Sequence, residues 1–152
     1  MHAESLKIPK RLKQVTLWVH PEGPVVGNLF LRVPDDEDEE EDALEVLNQP
    51  DPFLVVKLEG SEAVRFYNKH AIVRVEYPVE NVPDVMDVET RHCVLQMMDG
   101  SSMEGTIRRV LPPDRARLFD YLNLNGERFL KIDCSDGRTY LINKLYIMCV
   151  TP

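Results

Sequence analysis

An internal repeat constrains the fold of this 152-residue chain more than any other feature of its sequence. The segment YNKHAIVRV at 67–75 is echoed by INKLYIMCV at 142–150, at an offset of 75 residues. Further identities follow in one order, at offsets from 75 to 78 residues. The identical pairs are Gly23/Gly100, Gly27/Gly105, Pro34/Pro112, Leu47/Leu122, Asn48/Asn123, Phe53/Phe129, Leu54/Leu130, Asn68/Asn143, Lys69/Lys144, Ile72/Ile147 and Val75/Val150. This order predicts two copies of one structural unit, at residues 14–78 and 91–152.

The second copy predicts five strands and one short helix. HCVLQMM and MEGTIRRVL are strand candidates joined by Asp99-Gly100, a hairpin turn signal. Gly105 inside the second strand predicts a bulge or a sharp bend. PPDRARLFDYLN predicts the helix, with Asp114 as its cap and Asn123 as a left-handed residue at its end. RFLKIDCS, RTYLI and YIMCV are the remaining strand candidates.

The first copy follows the same plan, with DALEVLN as its helix and FLVVKLEG as its third strand. The Asn-Lys pairs, at 68–69 and 143–144, fall between the fourth and fifth strands, where the chain must turn sharply. We expect each Asn to adopt a positive φ at this turn and each Lys to point into water.

These elements predict a mainly β protein of two tandem five-stranded small barrels, each with one short helix before the third strand. A unit of about 60 residues buries only about 60% of its unfolded surface and is marginal alone. Several strands, such as FLVV, are apolar on both faces and need cover outside the barrel. We therefore expect the barrels to pack as a pseudo-twofold pair. Residues 79–90 form a linker between them, and residues 1–13 a basic N-terminal segment.

Three stretches of the second copy resemble, in order, motifs of the Sm-like fold: MMDGSSMEGTI, FDYLNL and INKLYIMCV. The resemblance covers most of each copy and implies a strongly bent, SH3-like small barrel, with RNA binding as the activity. Asn-Lys stands in both copies where the family has Arg-Gly, and the short helix precedes the third strand instead of opening the domain. These departures argue against RNA binding. The LN…FL…NK signature is also similar to that of uncharacterised bacterial small-barrel proteins, a resemblance that implies no activity.

The acidic run DDEDEEED at 35–42 carries all the excess charge of the chain, whose formal net charge is -8. The other 18 acidic residues equal the 18 lysines and arginines, whereas nucleic-acid binders usually have a basic excess. The run predicts a solvated loop, either without a specific role or as a contact for a basic partner or for the chain's own basic segment. That segment contributes Lys7, Lys10, Arg11 and Lys13. The candidate partner contacts are Asp35, Asp36, Glu37, Asp38, Glu39, Glu40, Glu41 and Asp42.

The sequence contains no catalytic constellation, phosphate-binding glycine loop or nucleophile elbow. The four histidines have no metal-ligand spacing, and we expect no metal and no cofactor. The odd number of cysteines, three, predicts reduced and mostly buried thiols. No apolar run is long enough for a membrane span or resembles a signal peptide, which predicts a cytoplasmic protein without membrane contact.

The favoured prediction is a non-enzymatic protein-interaction module, an adaptor or scaffold in a bacterial cytoplasm. Its partner would be another protein and not nucleic acid, and self-association stays open. The alternative is Sm-like RNA or nucleotide binding, which requires a basic, aromatic-lined concavity. A third reading is an enzyme whose site lies between the barrels, which requires clustered polar residues there. The repeat signature is expected to be structural, and its members are Gly27, Asn48, Asn68, Lys69, Gly105, Asn123, Asn143 and Lys144.

Overall fold

The computed structural model describes residues 10–33, 41–80, 89–109 and 117–152 of the chain. Within this part lie ten strands, two short α-helices and two 3₁₀ turns. The strands are β1 (Lys10–Val19), β2 (Gly23–Arg32), β3 (Phe53–Leu58), β4 (Val64–Asn68), β5 (Ile72–Pro78), β6 (Glu89–Met97), β7 (Ser102–Arg109), β8 (Phe129–Cys134), β9 (Arg138–Asn143) and β10 (Ile147–Thr151). The helices are α1 (Ala43–Asn48) and α2 (Leu118–Leu122), and the 3₁₀ turns are Lys69–Ala71 and Lys144–Tyr146. The prediction of a mainly β protein is confirmed.

The described strands form one antiparallel sheet in the order β10-β6-β7-β8-β9-β5-β1-β2-β3-β4. Each half of the chain contributes five neighbouring strands, with its fifth strand beside its first and its fourth strand at the far side. The halves join where β5 pairs with β9. The sheet order therefore has two ends, β4 of the first half and β10 of the second.

The expected pseudo-twofold arrangement of the halves is wrong. A twofold axis brings the same surface of both units together, so that every contact occurs twice. Here β5 is the fifth strand of its half, whereas β9 is the fourth strand of the other half. Their counterparts, β10 and β4, lie at opposite ends of the sheet. The halves are therefore arranged head to tail, because the fourth and the fifth strand of a half each present an edge that can pair.

Two hydrophobic clusters fill the described part, one centred on each half, and the joint between β5 and β9 contributes to both. Leu141 on β9 belongs to the first cluster, and its neighbours Tyr140 and Ile142 belong to the second. Successive side chains of a strand point to opposite faces of the sheet, so β9 is covered by apolar groups on both faces. Phe129 of β8 also packs into the first cluster, and Val73 of β5 packs against the second. Each half thus covers apolar surface of the other.

Gly27 on β2 and Gly105 on β7 are buried where neighbouring strands approach closely. The pairing register passes through both glycines without a shift, so of the two features predicted at Gly105 the bulge is wrong, and the sharp bend stays a prediction. A Cβ atom at Gly105 would lie 2.5 Å from the carbonyl oxygen of Asp133, and one at Gly27 would lie 2.5 Å from a methyl carbon of Val56. The repeat therefore retains glycine here because no side chain fits between the strands.

The two short helices begin differently. Asp42 caps α1, because its Oδ1 accepts a hydrogen bond from Glu45 N at 2.8 Å. Helix α2 begins after Arg117 without a side-chain cap, and the predicted cap Asp114 lies outside the described residues. The left-handed Asn123 predicted at its end is wrong, since its φ is -102°. Its amide instead donates to the carbonyl oxygen of Phe119 at 2.8 Å, which closes the last turn with ordinary backbone angles.

Replacing Gly105 by Ala should lower the free energy of unfolding by about 1–3 kcal/mol, because the new methyl group would overlap a backbone carbonyl that cannot move cheaply. Urea denaturation measures this loss. Glu104→Ala is the matched control: this exposed neighbour on β7 contacts His92 across water-exposed surface, so its removal should change stability little. Equal stabilities of Gly105→Ala and Glu104→Ala would contradict the close strand approach.

Candidate functional site

The joint between the halves is a strand pairing in which Arg74–Pro78 of β5 lies antiparallel to Arg138–Ile142 of β9. Val75 lies opposite Leu141, and both side chains are fully buried in the first cluster. The backbone groups of both strands are thus used on either side, by their own half and by the other half. The joint consequently removes from water two strand edges that would otherwise be free to pair with other chains.

Asn143 fixes the joint at the end of β9. Its side chain is fully buried, and Nδ2 donates to the carbonyl oxygens of Lys69 at 3.1 Å and Ile72 at 2.9 Å, in the first half. Its Oδ1 accepts a hydrogen bond from Leu145 N at 3.0 Å. One amide therefore satisfies three backbone groups in both Asn-Lys turns. The repeated Asn-Lys motif is where the two halves are bonded to each other.

Asn48, the last residue of α1, makes a second polar contact across the joint. Its Nδ2 donates to Phe129 O at 3.1 Å, and its Oδ1 accepts from Phe129 N at 2.8 Å. The side chain thus pairs with the backbone of β8 as a neighbouring strand would. Phe129, whose ring is fully buried, is held at the start of β8 by this pair of bonds.

The Asn-Lys turn of the first half differs from its prediction. Asn68 has φ -64° and Asn143 has φ -70°, so the expected positive φ is wrong in both copies. The Asn side chain instead accepts the N–H group two residues further on, which turns the chain without left-handed backbone. Lys69 is buried, not solvated as expected: its Nζ donates to the carbonyl oxygens of Val46 at 3.3 Å and Gln49 at 2.9 Å, at the end of α1. Burial lowers the pKa of the Lys69 ammonium group.

Among the described residues the sheet has two edges with no further strand paired to them, its free edges, and β4 is one of them. Lys69 N donates to Pro52 O at 2.9 Å, so the backbone groups of every second residue before it point towards β3. The backbone groups of Val64, Phe66 and Asn68 consequently point away from the sheet. Phe66 is 68% exposed, although it lies in the middle of the strand. This edge therefore combines unpaired backbone groups with a large apolar side chain.

Strand β10 is the other free edge. Met97 on β6 donates its N–H group to Ser101 O at 2.8 Å, so the preceding residue, Gln96, directs its backbone groups towards β10. The pairing register shifts between Ile147 and Cys149; beyond this shift Cys149 lies opposite Gln96 and points back at it, which leaves the backbone groups of Val150 directed outwards. Met148 is 63% exposed. Both ends of the sheet thus present apolar side chains beside available hydrogen-bonding groups.

The repeat pairs each exposed edge residue with a buried residue of the joint. Phe66 corresponds to Leu141, which is fully buried, and Phe53 on β3, 52% exposed, corresponds to the fully buried Phe129. Met148 corresponds to Val73, which packs against the second cluster. The polar contacts follow the same rule: Asn143 is buried, whereas its counterpart, Asn68, is exposed. The sequence could have revealed this difference only if the pairing partners of the strands had been known.

The predicted partner contacts of the acidic run lie mostly outside the described residues. Residues 35–40 are not described, and of the run only Glu41 and Asp42 are. Glu41 accepts hydrogen bonds from Arg32 N at 3.0 Å and from Gln49 Nε2 at 2.9 Å. Lys13 of the basic segment contacts Glu80 and lies 4.1 Å from the ring centre of Tyr77. The last two acidic residues thus support α1, and the role of the run as a partner contact stays a prediction.

A crevice of about 210 Å³ lies between the halves, near the β1–β2 turn. The Arg74 guanidinium group lies 4.3 Å from the ring centre of Trp18, a cation–π contact. Tyr146 of the second half closes the other side and donates its hydroxyl hydrogen to His70 O at 2.7 Å. Within the described chain, Nε1 of Trp18 and Nε of Arg74 are buried without hydrogen-bond partners. The other lining residues are Val19, His20, Pro21, Gly23, Val73, Met97 and Asp99.

The remaining chemically active side chains are dispersed. Among the described residues, no group of three or more His, Cys, Asp or Glu side chains is arranged to hold a metal ion. Cys93 is buried, Cys134 is half-buried and Cys149 is exposed, and all three are free thiols. Burial raises the pKa of the Cys134 thiol to about 11, which makes it a poor nucleophile at neutral pH. In the part of the chain that the structure describes, helices are too short to cross a membrane.

Comparison with known proteins adds no relative, since no protein-family model, curated protein or solved structure matches the chain.

Replacing Asn143 by Ala should lower the free energy of unfolding by about 2–3 kcal/mol, because buried carbonyls of Lys69 and Ile72 lose their donor. Asn68→Ala is the matched control: it removes the same local bond, to His70 N, but no bond across the joint. Its loss should stay below about 1 kcal/mol. Urea denaturation of both variants isolates the cross-joint bonds, and equal losses would show that Asn143 does not hold the halves together.

Proposed function

We propose that the chain is a non-enzymatic protein-interaction module, an adaptor or scaffold built from two small barrels arranged head to tail. The barrel reading is supported by the strand order of each half, which places its fifth strand beside its first, and by a separate hydrophobic cluster in each half. Buried glycines at matching positions on the second strands of the halves allow the close strand contacts that a strongly bent sheet needs.

The observation that carries the proposal is the character of the two free edges. Soluble proteins usually protect an edge strand with charged residues, prolines or covering loops. Here the centre of β4 carries Phe66 and β10 carries Met148, both strongly exposed. A partner that adds a strand would satisfy the outward backbone groups and cover these side chains, which is a common mode of peptide and protein recognition.

The edges can be blocked singly by proline, which has no N–H group. In Phe66→Pro and Val150→Pro the lost N–H groups point outwards, so no bond within the sheet is removed. Proteins retained from an extract of the source organism by the immobilised chain, other than the chain itself, should fall at least about tenfold in one or both variants. Quantitative mass spectrometry of the retained proteins measures this change.

Val26→Ala is the control for this experiment. Val26 is an exposed apolar residue on β2, which is paired on both sides and has no free edge. Its replacement should leave the retained proteins unchanged. Retention that is the same for the wild-type chain and for both proline variants would overturn the proposal that the edges bind proteins.

A second candidate function is nucleotide or single-stranded RNA binding in the crevice. The specific observation in its favour is the pair formed by Trp18 and Arg74, with Tyr146 opposite, since bases stack on aromatic rings and on guanidinium groups. The charge balance argues against this candidate. Outside the acidic run, acidic and basic residues are equal in number, whereas nucleic-acid binders usually have a basic excess.

Trp18 is the only tryptophan of the chain, so its fluorescence reports directly on the crevice. If the second candidate is correct, AMP or an oligouridylate at low salt should quench this fluorescence, and Arg74→Gln should weaken binding about tenfold. Arg32→Gln, an exposed substitution on β2, should leave binding unchanged. Fluorescence that does not respond to either probe at low salt would eliminate this candidate.

A further inference from the structure

The chain contains the strands for two joints of the β5–β9 kind, but it forms one such joint within the molecule. It uses the fifth strand of the first half and the fourth strand of the second half. The first half also has a fourth strand, β4, and the second half also has a fifth strand, β10. These two strands lie at opposite ends of the sheet order and are not paired with each other in the described structure.

The backbone of each free strand is oriented as the joint requires. On β9, Lys144 N donates to Arg128 O at 2.9 Å, so the backbone groups of Leu141 and Asn143 point away from β8 and towards β5. On β4 the corresponding residues, Phe66 and Asn68, point away from β3 in the same manner. The edge of β4 therefore presents outwards the set of backbone groups that β9 uses in the joint.

The side chains of the free edges match the buried side chains of the joint in apolar character. Leu141 and Phe129 are fully buried in the joint, with 0% accessible surface each. Their counterparts, Phe66 and Phe53, keep the apolar character but are 68% and 52% exposed. On the other partner, the half-buried Val73 corresponds to Met148, which is 63% exposed. A sheet edge that faces only water has no need of large exposed apolar side chains, so these residues suit an edge that a partner covers.

The polar contacts of the joint also have unused counterparts. Asn48 bonds to the backbone of Phe129, and its counterpart Asn123 is exposed at the end of α2, where it bonds to its own helix. Asn143 bonds to the first Asn-Lys turn, whereas its counterpart Asn68 makes no side-chain bond within the described part of the chain other than the local one to His70 N. Both free ends thus keep an amide at the position where the joint uses one.

We propose that the chain binds a second copy of itself by pairing β4 of one molecule with β10 of the next, in the geometry of its own β5–β9 joint. Because Val75 lies opposite Leu141 in the joint, Val150 would lie opposite Phe66 of the neighbouring copy. Asn123 would bond to the backbone at Phe53, and Asn68 to the turn at Lys144. The inference rests on the proposed function, because it takes the edges as protein-binding surfaces and names the partner.

A contact between two different surfaces leaves one of each kind unused on every added copy. Such an assembly either closes into a ring or continues as a filament. The proposal requires only that the repeating contact is β4 with β10. A twofold dimer would instead pair β4 with β4, or β10 with β10.

Sedimentation velocity of the purified chain, from about 1 μM to about 1 mM, tests the proposal. The mass should rise above the 17.5 kDa of the monomer with concentration. Phe66→Pro and Val150→Pro should each weaken self-association at least about tenfold. Val26→Ala should assemble like the wild-type chain. Circular dichroism checks that the variants fold. If a proline variant does not fold, Phe66→Lys or Met148→Lys replaces it, since these substitutions leave every backbone group in place.

Mixing the two edge variants gives the sharpest test. Phe66→Pro keeps an intact β10 edge and Val150→Pro keeps an intact β4 edge, so the mixture should form a complex of two chains that cannot grow further. A twofold dimer through one edge would instead persist in the unmixed variant that keeps this edge intact. Restoration of a two-chain complex supports the head-to-tail contact directly.

The proposal is overturned if the chain stays at 17.5 kDa over the whole range, or if it assembles equally well with both edges blocked. If the chain is monomeric while the edge variants lose proteins captured from the extract, the partner is a different protein: this inference fails and the proposed function stands. If the chain is monomeric and capture does not depend on the edges, both fail.

Discussion

The pairing of β5 with β9 is the interaction on which the rest of the structure depends. It places apolar strands between two hydrophobic clusters, so that consecutive residues of β9 serve different halves of the chain. A half of this size buries only about 60% of its unfolded surface and is marginal alone. The joint supplies this cover by extending the sheet from one half into the other, and not by face-to-face packing of two separately folded units. This choice makes the halves head to tail and leaves one fourth strand and one fifth strand at the ends.

Polar side chains give the joint its register. Asn143 and the half-buried Asn48 each donate to backbone carbonyls of the opposite half, whereas Lys69 donates to carbonyls at the end of α1 in its own half. An apolar strand pairing alone could slip, since neighbouring registers bury similar surface. An amide that must meet particular carbonyls penalises such slippage, because an unpaired buried carbonyl costs free energy. Burial of the Lys69 ammonium group carries its own penalty, visible in its lowered pKa.

The crevice and the edges are two different kinds of surface in one molecule. The crevice is small and holds a cation stacked on an aromatic ring, an arrangement suited to a flat ligand. The edges are extended and apolar, and their backbone groups suit another strand. Both arise from the same joint: the crevice lies where the turns of the two halves meet, and the edges are the strands that the joint does not use. The apolar side chains of the edges give the protein-binding reading its stronger physical basis.

The sequence by itself determined the local elements and their repetition. Turn residues, glycines and apolar runs placed the strands, the helix α1 and the two Asn-Lys turns, because these signals act over a few residues. It also required that each half find cover. Only the tertiary structure decided how: the head-to-tail joint, the burial of Lys69, the bonds from Asn143 and Asn48, and the exposure of Phe66 beside the burial of its counterpart Leu141. Two copies of a motif carry nearly the same local information, but they become different when one edge is paired and the other is not, and strand pairing between distant segments leaves no local pattern in the chain.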